Sequence, residues 1–268
     1  MVVIDMTEPL RLDVWSDIAC PWCYIGKRNL EAGLAQTRTD ADAPEVEIVY
    51  HSYELAPDTP PDYDGSEVDY LAERKGVSRD EAQQMIDRVT EVAKGSGLAY
   101  RYDLLHHANT GKAHRLLHFA KENGRQLELV ERLMSAYFTE GRHIGADDEL
   151  VRLAADAGLD GDAAREVVAT DRFELDVRRD QAQAQAYGIS GVPFYVIDGT
   201  YGVSGPSPLR PSRRSCVRCG RSAARQPRPN PPRAPAEGGP PGRPQRGRFC
   251  SITEMMAGSS GLTFGRKR

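Results

Sequence analysis

Two short stretches near the start of the chain alternate apolar and polar residues, and a helical pattern lies between them. Residues 10–16 (LRLDVWS) place Leu, Leu, Val and Ser on one side, which predicts a strand. Residues 46–52 (VEIVYHS) are rich in β-branched residues and alternate in the same way. Residues 24–37 follow a helical period instead. Candidate core positions of that helix are Tyr24, Leu30 and Leu34.

From about residue 58 to residue 178 the pattern is almost wholly helical. Ser78 and Glu81 have the spacing of a capping box before a helix that ends near Ala93. Asp147 and Asp160 are predicted to cap two later helices. A helix that precedes Asp147 carries apolar residues near the 3.6 spacing: Leu127, Val130, Leu133, Met134 and Phe138. A last helix is predicted through residues 173–188.

Strand signals return after this helical segment. Residues 194–197 are apolar, Asp198 and Gly199 follow, and residues 201–204 form a second run. Asp-Gly between two such runs is a strong hairpin signal. The body of the chain is therefore predicted as an α/β protein, with strand–helix–strand, then helices, then a β-hairpin.

The charge distribution separates this body from the last part of the chain. The chain has 268 residues and a net charge of −4. Residues 206–268 hold 14 Lys and Arg against 2 Asp and Glu, whereas residues 1–205 hold 21 against 37. The tail also contains 11 of the 18 prolines. Body and tail therefore differ in kind and are interpreted separately.

The chemistry is concentrated in the motif CPWC, where the first predicted strand ends and a helix begins. Cys20 and Cys23 are three apart, and Pro21 suits the first turn of a helix. The partial positive charge of a helix N-terminus stabilises a thiolate there. We therefore expect Cys20 to be the exposed nucleophile and Cys23 the buried resolving thiol. Trp22 is expected to cover the motif and contact substrate.

Metal binding is the main alternative for these residues. Zinc needs four ligands, and the body has no further cysteine. His114 and His118 lie four apart on one helix face, but they lack the Glu of the HExxH motif. Asp17 either forms a hydrogen bond near the CPWC loop or is simply a polar residue at the strand end. Redox chemistry at the dithiol is therefore favoured, with no metal site.

Five segments resemble the FrnE-like branch of the DsbA family. They are SDIACPWCYIGKRNLE, YHSYELAPD, NTGKAHRLLHFA, AYFTEGRHIGADDELVRLAADAGLD and YGISGVPFYVIDGTYGVSG, in order within residues 10–205. The family consists of thioredoxin-fold dithiol–disulfide oxidoreductases with a helical insertion. The resemblance implies that Cys20 and Cys23 are the redox pair. It also implies a cis peptide bond between Val192 and Pro193, beside a groove for an extended substrate, with His114 lining the cleft.

The resemblance also implies a domain organisation. A discontinuous thioredoxin-like domain is expected at residues 1–57 and 179–205, around an all-helical insertion at residues 58–178. An irregular Arg- and Pro-rich tail occupies residues 206–268. Candidate substrate-binding residues are Pro21, Trp22, Val192 and Pro193.

The implied reaction is thiol–disulfide exchange on protein or small-thiol substrates. The dithiol carries the electrons, so we expect no bound cofactor, with glutathione or a thioredoxin-like partner as co-substrate. No apolar run approaches the roughly 20 residues of a membrane span, and no signal peptide is recognisable at the N-terminus. A cytoplasmic location is therefore expected, with no membrane partner.

Two alternatives within the same architecture stay open. Kappa-type glutathione transferases and 2-hydroxychromene-2-carboxylate isomerases share the fold, but they typically have serine at the position of Cys20. A non-catalytic holdase that grips unfolded peptide is the second alternative. Two cysteines in CPWC favour dithiol chemistry over both.

The tail permits two interpretations. It is either a basic disordered segment, able to meet nucleic acid, or the product of a shifted reading frame in GC-rich coding sequence, which we favour. Cys216 and Cys219 repeat the CxxC spacing, but Cys250 is the only further cysteine or histidine in the tail, and no helix start supports them. Because the family pattern has a covering helix here, we expect the chain to be marginally stable.

Overall fold

The computed structural model describes residues 9–37 and 45–206, and its centre is a mixed four-stranded sheet. The strands are β1 (Leu10–Ser16), β2 (Val46–Ser52), β3 (Phe194–Ile197) and β4 (Tyr201–Ser204). Their order across the sheet is β2-β1-β3-β4. β1 pairs with β2 in parallel, and the other two pairings are antiparallel. All four predicted strands are confirmed.

Eight helices complete the described part of the chain. α1 (Pro21–Thr37) lies between β1 and β2. The other seven lie between β2 and β3: α2 (Glu67–Lys75), α3 (Arg79–Gly95), α4 (Gly111–Glu122), α5 (Gln126–Thr139), α6 (Asp147–Asp156), α7 (Gly161–Ala169) and α8 (Glu174–Ala186). The predicted mixed α/β class is confirmed. α8 crosses residues 178 and 179, where the two predicted domains meet, and the division into domains stays a prediction.

Helix caps follow the predictions in two of three cases. Ser78 and Glu81 form the capping box of α3, and the Asp160 side chain accepts a hydrogen bond from the Ala163 N–H at the start of α7. The prediction for Asp147 is wrong, since Ala146 is the N-cap of α6 and makes no side-chain cap. Asp147 is instead the first helical residue and pairs with Lys112. Its carboxylate still complements the positive end of the helix.

The β3–β4 turn has the geometry that its sequence predicts. Asp198 and Gly199 both have positive φ, at 48° and 62°. Two such residues make a type I′ turn, whose twist matches that of a hairpin. The Thr200 N–H donates to the carbonyl of Ile197 at 3.0 Å and closes the turn.

The two faces of the sheet bury separate clusters. Leu12 and Val14 of β1 pack in the larger cluster with α1 and the helices that follow β2, whereas Trp15 packs in the smaller one with Ala184 of α8. This separation follows from the period of two along β1. Most predicted core positions are buried. Leu34 is partly buried and packs against the larger cluster.

Leu127 is the exception, because its residue is 43% exposed. The preceding residue, Gln126, is buried and exchanges two hydrogen bonds with the backbone of Tyr50, at 3.0 and 2.9 Å. One step along a helix turns the side chain by about 100°. Gln126 therefore occupies the inward position, and Leu127 faces outward.

A buried charged network ties the sheet to α8. His51 of β2 bonds to Asp13 of β1 through Nε2 and to Asp180 of α8 through Nδ1, both at 2.7 Å. Asp180 also accepts the backbone N–H of Ser52 at 2.8 Å. A ring with a carboxylate on each nitrogen donates from both nitrogens only as an imidazolium. His51 is therefore the cation of this network.

The titration of these groups follows from their contacts. Burial lowers the pKa of His51, but its bonds to Asp13 and Asp180 outweigh this and raise it above its usual value. Burial raises the pKa of Asp13, but His51 and Arg11 lower it to about 2. The pKa of Asp180 is also lowered, since bonds from His118 and His51 outweigh its burial.

The network makes stability depend on pH in a defined sense. A raised folded-state pKa means that the His51 contribution is complete below the unfolded value of about 6.5 and is lost as pH rises through the folded pKa. The depressed pKa of Asp13 means that its contribution is present above about 3.9 and is lost as pH falls. We expect His51→Gln to lower the free energy of unfolding by up to about 3–5 kcal/mol near pH 6, because it removes the cation that two buried carboxylates share and leaves Asp13 with Arg11 and Asp180 with His118.

Urea unfolding of wild type and His51→Gln from pH 5 to pH 9 measures this effect. The difference between the two proteins should shrink as pH rises. The matched control is His143→Gln, because His143 is only half-buried and pairs with the exposed Asp62. An equal loss of stability at every pH would contradict the assignment of His51 as a buried cation.

Candidate functional site

The CPWC motif lies where β1 passes into α1. Cys20 is the residue before the helix, and its carbonyl accepts hydrogen bonds from the N–H groups of Cys23 at 3.0 Å and Tyr24 at 3.4 Å. The Cys20 N–H donates to the carbonyl of Asp17 at 3.2 Å. Pro21 is the first helical residue, as predicted, and needs no N–H partner there. The turn therefore holds both thiols at the start of the helix.

Both cysteines are free thiols and both are buried. Cys20 is 3% exposed and Cys23 is 2% exposed, so the prediction that Cys20 is exposed is wrong, whereas its role as the nucleophile stays a prediction. The reason is the loop before β3, whose Val192 carbonyl accepts a hydrogen bond from the Cys20 thiol at 3.6 Å. Trp22, between the cysteines, is 40% exposed. The Cys20 sulfur therefore lies against the backbone of the loop that precedes β3.

The Val192–Pro193 peptide bond is cis, as the family resemblance implies. The Pro193 carbonyl accepts the Gly205 N–H at 2.9 Å, so this loop is tied to the end of β4. A Cβ on Gly26 of α1 would lie 3.0 Å from Pro193 Cγ and 2.4 Å from the Tyr195 hydroxyl oxygen. The helix and the loop therefore touch where a glycine leaves room.

The environment of Cys23 keeps it protonated. Burial raises the pKa of the Cys23 thiol well above its usual value, and the neighbouring Cys20 adds to this. The Ser16 hydroxyl and the Asp17 backbone N–H act in the opposite direction and do not overcome the burial. Cys23 is thus a thiol near neutral pH, as a resolving cysteine is before it attacks.

Asp17 and His114 lie together beneath the CPWC loop. His114 Nε2 is 3.3 Å from Asp17 Oδ1, and the two residues are 0% and 2% exposed. The Asp17 carboxylate also accepts the Leu55 N–H at 2.8 Å and the Ala19 N–H at 3.4 Å. Of the two readings of Asp17, the structure supports the hydrogen-bonding one. His114 Nδ1 has no hydrogen-bond partner among the described residues.

His114 and His118 face different partners. His118 Nε2 is 3.1 Å from Ser52 Oγ and 3.3 Å from Asp180 Oδ2, whereas His114 Nε2 bonds to Asp17. Within residues 9–37 and 45–206, no group of three or more His, Cys, Asp or Glu side chains has the arrangement to hold a metal ion. The two histidines therefore act separately.

Sequence reasoning missed a set of buried and partly buried tyrosines around the dithiol. Burial is the first cause that raises the pKa of each, and the charge of one or both cysteines adds to it. They are Tyr50, Tyr100, Tyr102 and Tyr195. They come from β2, from the segment between α3 and α4, and from β3, so no local pattern marks them as neighbours. Only the fold brings them together.

A dithiol at the N-terminus of a helix, beside a cis-proline loop, on a sheet of order β2-β1-β3-β4, defines the thioredoxin class of redox folds. Comparison with known proteins gives the family: residues 11–212 match the model of the DSBA-like thioredoxin domain. The chain belongs to that family. The branch within it stays a prediction.

Several known proteins are similar to the chain. A probable DsbA oxidoreductase from Streptomyces coelicolor is 37% identical, with a TM-score of 0.71, over 81% of this chain and 92% of that one. An uncharacterized protein, YwbO, from Bacillus subtilis strain 168 is 29% identical over 71% of this chain and 88% of its own length.

Two further solved structures share the fold. A 2-hydroxychromene-2-carboxylate isomerase has a TM-score of 0.57 at 15% identity, over 79% of this chain and 97% of that one. A cytosolic disulfide reductase, DsbM, from Pseudomonas aeruginosa, solved with GSH, has a TM-score of 0.51 at 16% identity, over 71% of this chain and 87% of that one.

The contact at Gly26 gives a prediction for stability. Gly26→Ala should lower the free energy of unfolding by about 1–3 kcal/mol, because the new methyl group overlaps the packed Tyr195 and Pro193. This cost outweighs the gain of up to about 1 kcal/mol that alanine brings within a helix. Urea unfolding measures the change.

Gly95→Ala is the matched control, since Gly95 is the last residue of α3 and a Cβ there meets no atom within 4 Å. That variant should be as stable as wild type or more stable. A Gly26→Ala variant that is at least as stable as wild type would show that the helix and the proline loop do not need this close approach.

Proposed function

We propose that the chain is a thiol–disulfide oxidoreductase that uses Cys20 and Cys23 as its redox pair. The observation that carries the proposal is the pair of free thiols at the start of α1, with the Cys20 sulfur against the carbonyl of Val192. Membership in the DSBA-like family supports an oxidoreductase or isomerase-type enzyme.

The proposed reaction proceeds in two exchanges. The Cys20 thiolate attacks a substrate disulfide, forming a mixed disulfide and releasing one substrate thiolate, which takes up a proton. Cys23 then loses its proton and attacks the Cys20 sulfur, which forms the Cys20–Cys23 disulfide and releases the second substrate sulfur as a thiol. Two electrons pass from the dithiol to the substrate, and the reverse sequence oxidises a substrate dithiol.

The substrate is proposed to lie across the CPWC loop and the proline loop. Trp22 is exposed, and Pro21 precedes it in the motif, while the loop with Val192 and the cis Pro193 contacts the Cys20 sulfur. An extended peptide or glutathione fits this description. Glutathione or a thioredoxin-like protein is proposed to restore the starting redox state without a bound cofactor, and the solved GSH complex of the related DsbM fold supports a small thiol.

A cytoplasmic location is proposed together with this chemistry. Within the described ranges, no helix has the length and apolar character to cross a membrane. The fold neighbour DsbM is described as a cytosolic disulfide reductase.

A glutathione-dependent isomerase is the second candidate, because a 2-hydroxychromene-2-carboxylate isomerase shares the fold. That chemistry tolerates serine at the position of Cys20. If the chain is an isomerase, Cys20→Ser should therefore keep its activity. If it is an oxidoreductase, the same substitution should abolish its activity. A peptide-binding holdase would also survive this substitution, and it would suppress aggregation of unfolded protein without turnover.

The proposal is tested by redox titration in glutathione buffers, followed by alkylation and mass spectrometry. The chain tested carries Ser in place of Cys216, Cys219 and Cys250, so that Cys20 and Cys23 are the only thiols that alkylation detects. We expect Cys20 and Cys23 to titrate as one two-electron pair with a potential between about −120 and −270 mV.

Single substitutions in the same background assign the two roles. Cys20→Ser should abolish reduction of a peptide disulfide, whereas Cys23→Ser should accumulate a mixed disulfide at Cys20. Turnover of the disulfide at the wild-type rate by Cys20→Ser would refute the proposed function. Isomerisation of 2-hydroxychromene-2-carboxylate by that variant would establish the second candidate instead.

A further inference from the structure

One buried hydroxyl from the segment between α3 and α4 reaches the CPWC motif directly. The Tyr100 hydroxyl donates a hydrogen bond to the carbonyl oxygen of Pro21 at 2.7 Å. Tyr100 is 6% exposed. Pro21 stands between the two cysteines, so this bond ends inside the redox motif.

The ring of Tyr100 lies in an aromatic cluster with Phe138 and Tyr24. It stacks on Phe138 of α5 with centroids 4.7 Å apart and on Tyr24 of α1 with centroids 6.2 Å apart. The next residue, Arg101, donates its N–H to the Phe138 carbonyl at 2.7 Å. The Tyr100 ring is therefore held by α5 through Phe138 and by α1 through Tyr24.

The direction of this bond has an electrostatic consequence. A carbonyl oxygen carries partial negative charge, and that of Pro21 lies within the turn that holds the two sulfurs. An O–H donor offsets that charge. Within a buried site of low dielectric such a dipole acts strongly on a nearby charge. The hydroxyl should therefore stabilise the thiolate, and with it the reduced form of the pair.

We propose that Tyr100 is a positioning residue that holds the CPWC turn and shifts the Cys20–Cys23 equilibrium towards the dithiol. The proposal rests on the proposed redox function and deepens it. If Tyr100 acts in this way, the chain segment between β2 and β3 influences the redox potential of the Cys20–Cys23 pair as well as the fold.

Tyr100→Phe removes the hydroxyl and keeps the stacked ring. We expect the equilibrium constant for forming the Cys20–Cys23 disulfide in glutathione buffers to rise between fivefold and tenfold. A tenfold rise corresponds to a potential about 30 mV more negative. The potential is the useful readout, because a loss of stability that affects both redox forms equally does not move it.

Tyr24→Phe is the matched control. It removes a hydroxyl from the same aromatic stack, but that hydroxyl bonds to Glu131 at 2.8 Å and to Arg28 at 3.0 Å, away from the cysteines. Its equilibrium constant should stay within twofold of the wild-type value. Phe138→Leu provides a second route: it keeps the Tyr100 hydroxyl but removes the ring that orients it, and it should move the constant in the same direction as Tyr100→Phe.

The titration separates failure of the inference from failure of the proposed function. If the wild-type pair shows no defined two-electron potential, the proposed function itself is refuted. If wild type titrates as expected and Tyr100→Phe stays within twofold of it, only the role of Tyr100 is refuted. Should Tyr100→Phe not fold, an unchanged constant in Phe138→Leu refutes that role in the same way.

Discussion

The close approach of α1 to the proline loop at Gly26 is the constraint on which the site depends. Without a side chain at this position, the helix lies against Pro193 and Tyr195. The same helix and the same loop also meet where the Cys20 sulfur lies 3.6 Å from the Val192 carbonyl oxygen. The two walls of the site come from distant parts of the chain, and a methyl group at position 26 would press on both Tyr195 and Pro193.

The helices between β2 and β3 contribute to the site as well as to the core. Tyr100 bonds to the Pro21 carbonyl from above α1, and His114 of α4 bonds to Asp17 beneath the loop. These contacts hold the peptide on both sides of Cys20. The dithiol is therefore enclosed by a framework that depends on the long helical segment, and changes in that segment act on the chemistry through hydrogen bonds and not only through packing.

Local patterns in the sequence predicted the elements, and long-range contacts decided most of what they missed. The strands and the Asp198–Gly199 turn carry short-range signals, so their ranges follow from alternation and turn chemistry. The burial of Cys20 does not follow from a local pattern, because Val192, whose carbonyl contacts the Cys20 sulfur, lies 172 residues further along the chain. Leu127 faces outward since Gln126 bonds to a strand backbone, a choice that periodicity alone does not reveal. The contact of Tyr100 with the motif is likewise visible only in the folded chain.

Two tryptophans in different environments give the molecule two distinct fluorescence probes. The chain has two tryptophans. Trp15 is 1% exposed, and its ring lies 4.4 Å from the His51 ring at an angle of 14°, whereas Trp22 is 40% exposed within the CPWC motif. The Trp15 indole emits from a buried site against the His51 ring, and the Trp22 indole emits from a solvent-exposed site within the CPWC motif. Their fluorescence therefore distinguishes events at the charged network from events at the dithiol within one sample.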